Sequence, residues 1–262
     1  MSHHSRQQDE RIIRMSELYY LHVSPWSEKA RWAMDLNHFR YDKVVFTPMI
    51  STLLVRLKTR NLTRKVTVPA LLDGTKVLSD SYQIAQYANK AAPKHAINLF
   101  PDALTSQIDQ WESLSEQILR AGRALVCIRM KNSKGAKLQS LPPIIPNAIR
   151  PLMLPVATMG LHYFKAKYQF DWNKSDDYIQ TMRNGLKMVR SQLDTKGEYL
   201  LGEFTYADIA IAVTLQMVEP IDQQYISLDE NIQDCWRTPA LIEEFADLLE
   251  WRERLYKKHR LV

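Results

Sequence analysis

Cysteine is scarce in this chain of 262 residues: only Cys127 and Cys235 occur, far apart and without partner-like spacing. That argues against a disulfide framework and against a zinc site, and it fits a reducing compartment such as the cytoplasm. Residues 1–15 lack the apolar run of about 7 to 15 residues that a signal peptide needs, and read as a polar, disordered leader whose His3 and His4 are not a metal site. A membrane-spanning helix, which takes roughly 20 uninterrupted apolar residues, is also missing. The most apolar stretch, 141–164, is broken by Pro142, Pro143, Pro146, Pro151 and Pro155. Segregated charge is missing too. The formal net charge of +6 would favour an anionic partner, but basic residues alternate with acids, as in Arg252-Glu253-Arg254, so a nucleic-acid partner is not expected.

What is present begins with Leu18-Tyr19-Tyr20-Leu21-His22-Val23, strand-like in composition, followed by Ser24-Pro25-Trp26-Ser27. Proline suits the first position of a helix and leaves Ser24 as its N-cap, so a helix is expected to about Asn37 with Ala30, Ala33, Met34 and Leu36 on its buried side. A second strand over 41–46 makes a parallel β-α-β unit with a right-handed crossover. A basic helix over 53–62 comes next, and then two strands around Asp73-Gly74, a strong hairpin signal. Val68-Pro69 stands where the first of these strands begins, and proline there belongs at an edge or a special turn. A cis Val68–Pro69 bond would present the Val68 backbone to an extended peptide by strand addition. Ser79-Asp80-Ser81 precedes a further helix whose N-terminus suits a carboxylate, while the Asp80 carboxylate would hold an ammonium.

The second half carries no comparable strand pattern. Pro93 to Pro101 reads as a linker, and Leu104, Ile108, Trp111, Ile118, Ala121 and Leu125 then keep a helical period over about six turns. Thr205 and Asp208 form a capping box ahead of an apolar, buried helix and serve folding. Residues 239–260 read as an amphipathic helix with its charges on a solvated face. The segment 141–164 reads as irregular; contact with a membrane surface, cover over a cleft and contact with a second subunit all stay open for it.

Ser24-Pro25-Trp26-Ser27 stands where thioredoxin-like redox proteins carry a reactive Cys-X-X-Cys, with serine in place of both cysteines. A thiolate at this helix N-terminus would therefore have to arrive on a ligand, which points to glutathione. Together with Val68-Pro69-Ala70-Leu71 and Asp80-Ser81-Tyr82-Gln83-Ile84, in order and approximate spacing, the motif resembles the cytosolic glutathione transferases, in a serine-type, bacterial-like form. The resemblance implies an α/β thioredoxin-like N-terminal domain over 16–92, a linker over 93–103 and an all-α C-terminal domain over 104–262. It implies glutathione as cosubstrate, no metal, a small hydrophobic electrophile as second substrate, a detoxifying role and a homodimer.

The resemblance also assigns residues. Ser24 is the catalytic candidate, its hydroxyl hydrogen-bonding the glutathione sulfur, and the same geometry equally serves a plain helix cap. Ser27, Tyr19 and Tyr20 are the other hydroxyls to weigh. Ser24, Trp26, Lys65, Val68, Pro69, Asp80 and Ser81 are the glutathione-binding candidates, with Arg64 beside Lys65 for the glycyl carboxylate. Trp26, Trp111 and Arg123 are the candidates for the second-substrate pocket. A cysteine-type reductase needs a protein thiol and is disfavoured by the serines; the remaining alternative is a non-catalytic binding or assembly module on the same fold.

Overall fold

A computed structural model describes residues 16–46, 50–63, 66–74, 76–142 and 144–260. The 1–15 leader, Arg64 and Lys65 lie outside the described residues.

The first half runs β1 (Ser16–Tyr20), α1 (Pro25–Leu36), β2 (Tyr41–Val45), α2 (Ile50–Lys58), β3 (Ala70–Asp73), β4 (Lys76–Leu78), α3 (Ser81–Ala91). The sheet order is β2-β1-β3-β4, with β1 parallel to β2 and antiparallel to β3, and β3 antiparallel to β4. Alternation along the strands divides the core. Leu18, Tyr20 and Leu71 pack on one face against Ala30 and Met34 of α1 and Ile84 and Ala88 of α3. Tyr19, Ala70 and Leu72 pack on the other against Val55 of α2. With helices on both faces, this is a thioredoxin-like unit.

The second half is helical: α4 (Thr105–Asn132), α5 (Lys134–Gln139), α6 (Leu154–Tyr168), α7 (Ser175–Lys196), α8 (Tyr206–Thr214), α9 (Glu230–Trp236), α10 (Pro239–Glu244) and α11 (Ala246–His259). Every residue of α8 is buried. Its capping box is complete, with the Asp208 carboxylate accepting from the Thr205 N–H at 2.9 Å and the Leu200 N–H at 2.8 Å. Where α4 meets the turn after α8 there is no room for a side chain: a Cβ on Gly122 would lie 2.5 Å from Cβ of Met217.

Two expectations are corrected. Residues 154–168 are a regular helix, because Pro151 and Pro155 stand in the opening positions of helical segments, where a missing N–H breaks no bond. Residues 239–260 form two helices divided at Phe245, and their charges are not all solvated. Arg252 is buried and donates to the Leu215 carbonyl at 3.3 Å and to that of Glu219. Arg260 is buried against α1, donating to Glu28 at 2.7 Å and Asp35 at 2.8 Å. The Trp32 indole donates to the His259 carbonyl at 3.1 Å. The C-terminal end of the chain is thus pinned to the first half. Among the described residues no helix is long and apolar enough to cross a membrane.

Candidate functional site

The strand register gathers the motifs at one sheet edge. Tyr19 pairs with Ala70, and Leu71 pairs with Leu78. The segment leaving β1, the residues leading into β3 and those leaving β4 therefore lie side by side, bringing Ser24, Val68-Pro69 and Asp80-Ser81 together. The Thr67 hydroxyl ties two of these strands by donating to the Ser79 carbonyl at 3.2 Å. Helices α1 and α3 both begin at this edge, so two sets of N-terminal N–H groups and two positive helix ends converge there.

Ser24 is the N-cap of α1, and its Oγ accepts from the Ser27 N–H at 3.4 Å. A hydroxyl that accepts in this way keeps its own proton to donate. The other hydroxyls weighed from the sequence are engaged or enclosed. Ser27 is fully buried and accepts from the Leu21 N–H at 3.2 Å. The Tyr20 hydroxyl meets His22 Nε2 at 3.3 Å, and that of Tyr19 donates to Glu17 at 3.0 Å; both rings are buried. Ser24 alone of the four is half-exposed.

Val68 lies outside the β1–β3 ladder, which begins at Ala70, and the Val68–Pro69 bond is cis. Asp80 is exposed and caps α3, accepting from the Gln83 N–H at 3.1 Å. Ser81 is 1% exposed, and its hydroxyl approaches that of fully buried Tyr206 without reaching hydrogen-bonding geometry. An unsatisfied hydroxyl at a helix N-terminus adds to the polar groups at this edge.

One wall comes from α4. The Trp26 indole donates to Glu116 at 2.7 Å, fixing the ring against α4. Arg123 lies 4.9 Å from the Trp26 ring centre and 3.6 Å from that of Tyr168, so α4, α1 and α6 meet around one guanidinium. Burial pushes the Arg123 guanidinium down from its ordinary value. Trp111 is not in this group. It sits on another face of α4, beside Lys187, Met188 and Ser191 of α7. An open groove of about 450 Å³ between α4 and α7, lined by Gln110, Leu114 and Met188 among others, also lies on that other face.

Sequence reasoning missed Lys29, Glu112 and Glu116. Lys29 is fully buried and donates to Glu112 at 2.9 and 3.1 Å and to Glu116 at 3.3 Å. Burial pushes the Glu112 carboxyl up to about 7 even though Lys29 pulls it down. The only signal was the four-residue spacing of the two glutamates, which places them on one helix face. Burial also pushes the Cys127 thiol up to about 11, which keeps it protonated and unreactive. Among the described residues no three His, Cys, Asp or Glu gather to hold a metal.

Residues 18–96 match the N-terminal domain of glutathione S-transferases, and residues 173–254 match their C-terminal domain; together the matches cover more than half of the chain. No curated protein matches. Similar solved structures include a glutathione S-transferase from Methylobacillus flagellatus KT with GSH bound, at 18% identity over 92% of this chain and 95% of that one, with a TM-score of 0.58. Glutathione transferase GSTFuA2 from Phanerochaete chrysosporium is 15% identical over 95% of this chain and 100% of its own, with a TM-score of 0.64. Glutathione transferase Xi 1 from Trametes versicolor is 16% identical over 94% and 81%, with a TM-score of 0.59. At these identities the likeness is one of fold.

Proposed function

The chain belongs to the glutathione S-transferase family, and from that premise we propose that it is a serine-type, bacterial-like member that activates the thiol of bound glutathione for attack on a small hydrophobic electrophile. The observation that carries this reading is Ser24: a half-exposed hydroxyl at a helix N-terminus, with one lone pair occupied by the Ser27 N–H and its proton directed elsewhere.

In this reading the backbone of Val68, ahead of Pro69, pairs with the tripeptide by strand addition. The γ-glutamyl carboxylate meets the α3 N-terminus and Ser81, its ammonium meets Asp80, and Lys65 takes the glycyl carboxylate. The Ser24 O–H and the α1 N-terminus favour the thiolate. An unperturbed thiol of pKa about 8.5 is only a few per cent ionised at pH 7, and each unit of depression is about 1.4 kcal/mol of preferential thiolate stabilisation. The proton leaves to solvent. The sulfur forms a bond to the electrophilic carbon, and the leaving group departs with the electron pair of the bond that breaks. Catalysis is positioning plus anion stabilisation, with Trp26 and Arg123 lining the electrophile's side. Trp111 is left out because it occupies another face of α4. We propose a cytoplasmic, homodimeric enzyme with a detoxifying role, in which one copy's first domain meets the other's second.

The decisive measurement is ultraviolet absorbance of the thiolate of bound glutathione against pH, in the unaltered protein and in Ser24→Ala. A midpoint below that of free glutathione, moving back up in the variant, is expected. A midpoint equal to that of the free thiol would overturn the reading.

A further inference from the structure

The dispersed charge of the whole chain hides two exceptions, the acid-free stretch from Lys43 to Leu72 with six Lys or Arg and a longer one in the second half. From Gln117 to Phe170 there is no Asp or Glu, yet nine Lys or Arg, so the remainder of the chain is net acidic. Within this stretch lies α6, whose inner side, Ala157 and Leu161, is buried. Its outer side is also apolar. Val156 (49% exposed), Met159 (69%) and Tyr163 (62%) follow one another at helical spacing on the solvent side, and Leu152 (77%), in the short turn of helix that precedes α6, is exposed ahead of them. Ile144, in the proline-rich loop, is 89% exposed. Seven of the fifteen exposed large apolar side chains among the described residues fall between positions 144 and 164.

Lys167, one turn beyond Tyr163 and exposed, continues this stripe at its C-terminal end, while Lys165 and Lys131 of α4 lie on the inner flank of α6. Lys131 and Lys165 both reach over the Trp172 ring, at 5.1 and 5.9 Å, and Lys167 lies 5.2 Å from the centre of the Tyr168 ring. An exposed apolar helix face with Tyr163 in it and a lysine at its end, in a segment whose only charges are basic, matches the layering of a bilayer surface, where acyl chains lie below and anionic headgroups above. A phosphate-binding surface for nucleic acid would have no use for exposed Leu152, Val156 and Met159. The loop is held in place to present them: Arg150 donates to the carbonyls of Leu138 at 2.9 Å, Ile145 at 3.1 Å and Pro142 at 3.3 Å.

We propose that the outer face of α6, with the short helical turn that precedes it, is a docking surface for anionic lipid membranes. It lies in the plane of the headgroups, with the stripe inserted to the acyl boundary and Lys167 against the anionic headgroups. The inference does not rest on the chemistry at Ser24. Because Tyr168 on the inner side of the same helix touches Arg123, the docked face would stand next to the site proposed for a hydrophobic electrophile.

The test is flotation of the full chain with vesicles of equal parts phosphatidylglycerol and phosphatidylcholine, compared with phosphatidylcholine alone, alongside sedimentation velocity without lipid. Binding to the anionic vesicles is expected, weakened by salt and by omission of phosphatidylglycerol. The double variant Met159→Glu, Tyr163→Glu should bind roughly tenfold or more weakly. Both positions are exposed, so its circular dichroism and melting should match those of the unaltered protein. Met188→Glu, an exposed apolar position on α7, is the control and should bind as before. No flotation with anionic vesicles, or equal flotation by the double variant, would overturn the proposal. So would a protein that ignores vesicles but self-associates through this face, losing that association in the double variant.

Discussion

Ser24 carries two roles at one atom, and substitution separates them. Ser24→Ala removes the N-cap of α1, which should cost about 1 kcal/mol in chemical denaturation, and it removes the donor to the sulfur. We expect kcat/KM with an activated aryl chloride to fall about tenfold or more while glutathione affinity by calorimetry changes little. Undiminished turnover would show that the hydroxyl only caps the helix. Glu112 yields a second prediction at this scale. Its folded-state carboxyl, pushed up to about 7 by burial, binds protons more readily than in the unfolded chain, where the value is 4.5. Its stabilising contribution is therefore complete below pH 4.5 and declines as pH rises to about 7. The stability difference between the unaltered protein and Glu112→Gln should shift against the former across that window, by roughly 2 to 3 kcal/mol. Urea unfolding of both proteins at pH 5 and pH 7.5 measures it; equal differences at the two pH values would refute it.

Among the elements, α8 depends on its first turn. Thr205→Ala removes one cap acceptor and should cost about 1 to 2 kcal/mol. Asp208→Ala also strands the buried N–H groups of Leu200 and Thr205, each at about 1 to 3 kcal/mol, so it should be the more damaging change by denaturant midpoint. If the two variants unfold at the same denaturant concentration, the Asp208 bonds carry no more than the Thr205 cap. Both residues were legible from the sequence because a capping box is local, set by residues three apart ahead of an apolar run. Helix α6 was not legible in this way. Five prolines suggested broken structure, but proline breaks a helix only from its interior, and here Pro151 and Pro155 open helical segments.

Across the whole molecule, the two halves are joined by buried charge. Arg260 is held against Glu28 and Asp35, and Lys29 against Glu112 and Glu116. Such pairs add little over an apolar contact, yet breaking one leaves a charge buried without its partner. Arg260→Met should therefore lower stability by roughly 3 kcal/mol, read from the denaturation midpoint. The loss should reach both halves in a single transition, monitored by far-ultraviolet circular dichroism and tryptophan fluorescence together. Separate transitions by the two probes would show that the halves unfold independently.

What the sequence determined by itself was whatever neighbours along the chain decide. The strand before Ser24, the cap at Ser24, the hairpin at Asp73-Gly74, the box at Thr205 and Asp208 and the period of α4 all rest on local sterics, local hydrogen bonds and alternation, which act over a few residues. Only the tertiary structure decided which side chains meet across long separations. The Lys29–Glu112–Glu116 cluster, the anchoring of Arg260, the seating of Arg123 between Trp26 and Tyr168, and the turning of Trp111 to another face of α4 are of this kind. A charged side chain on a helix looks solvated until a second helix from elsewhere in the chain covers it. For the same reason, the outer side of α6 could be known as exposed only once every element that might have buried it had found its own place.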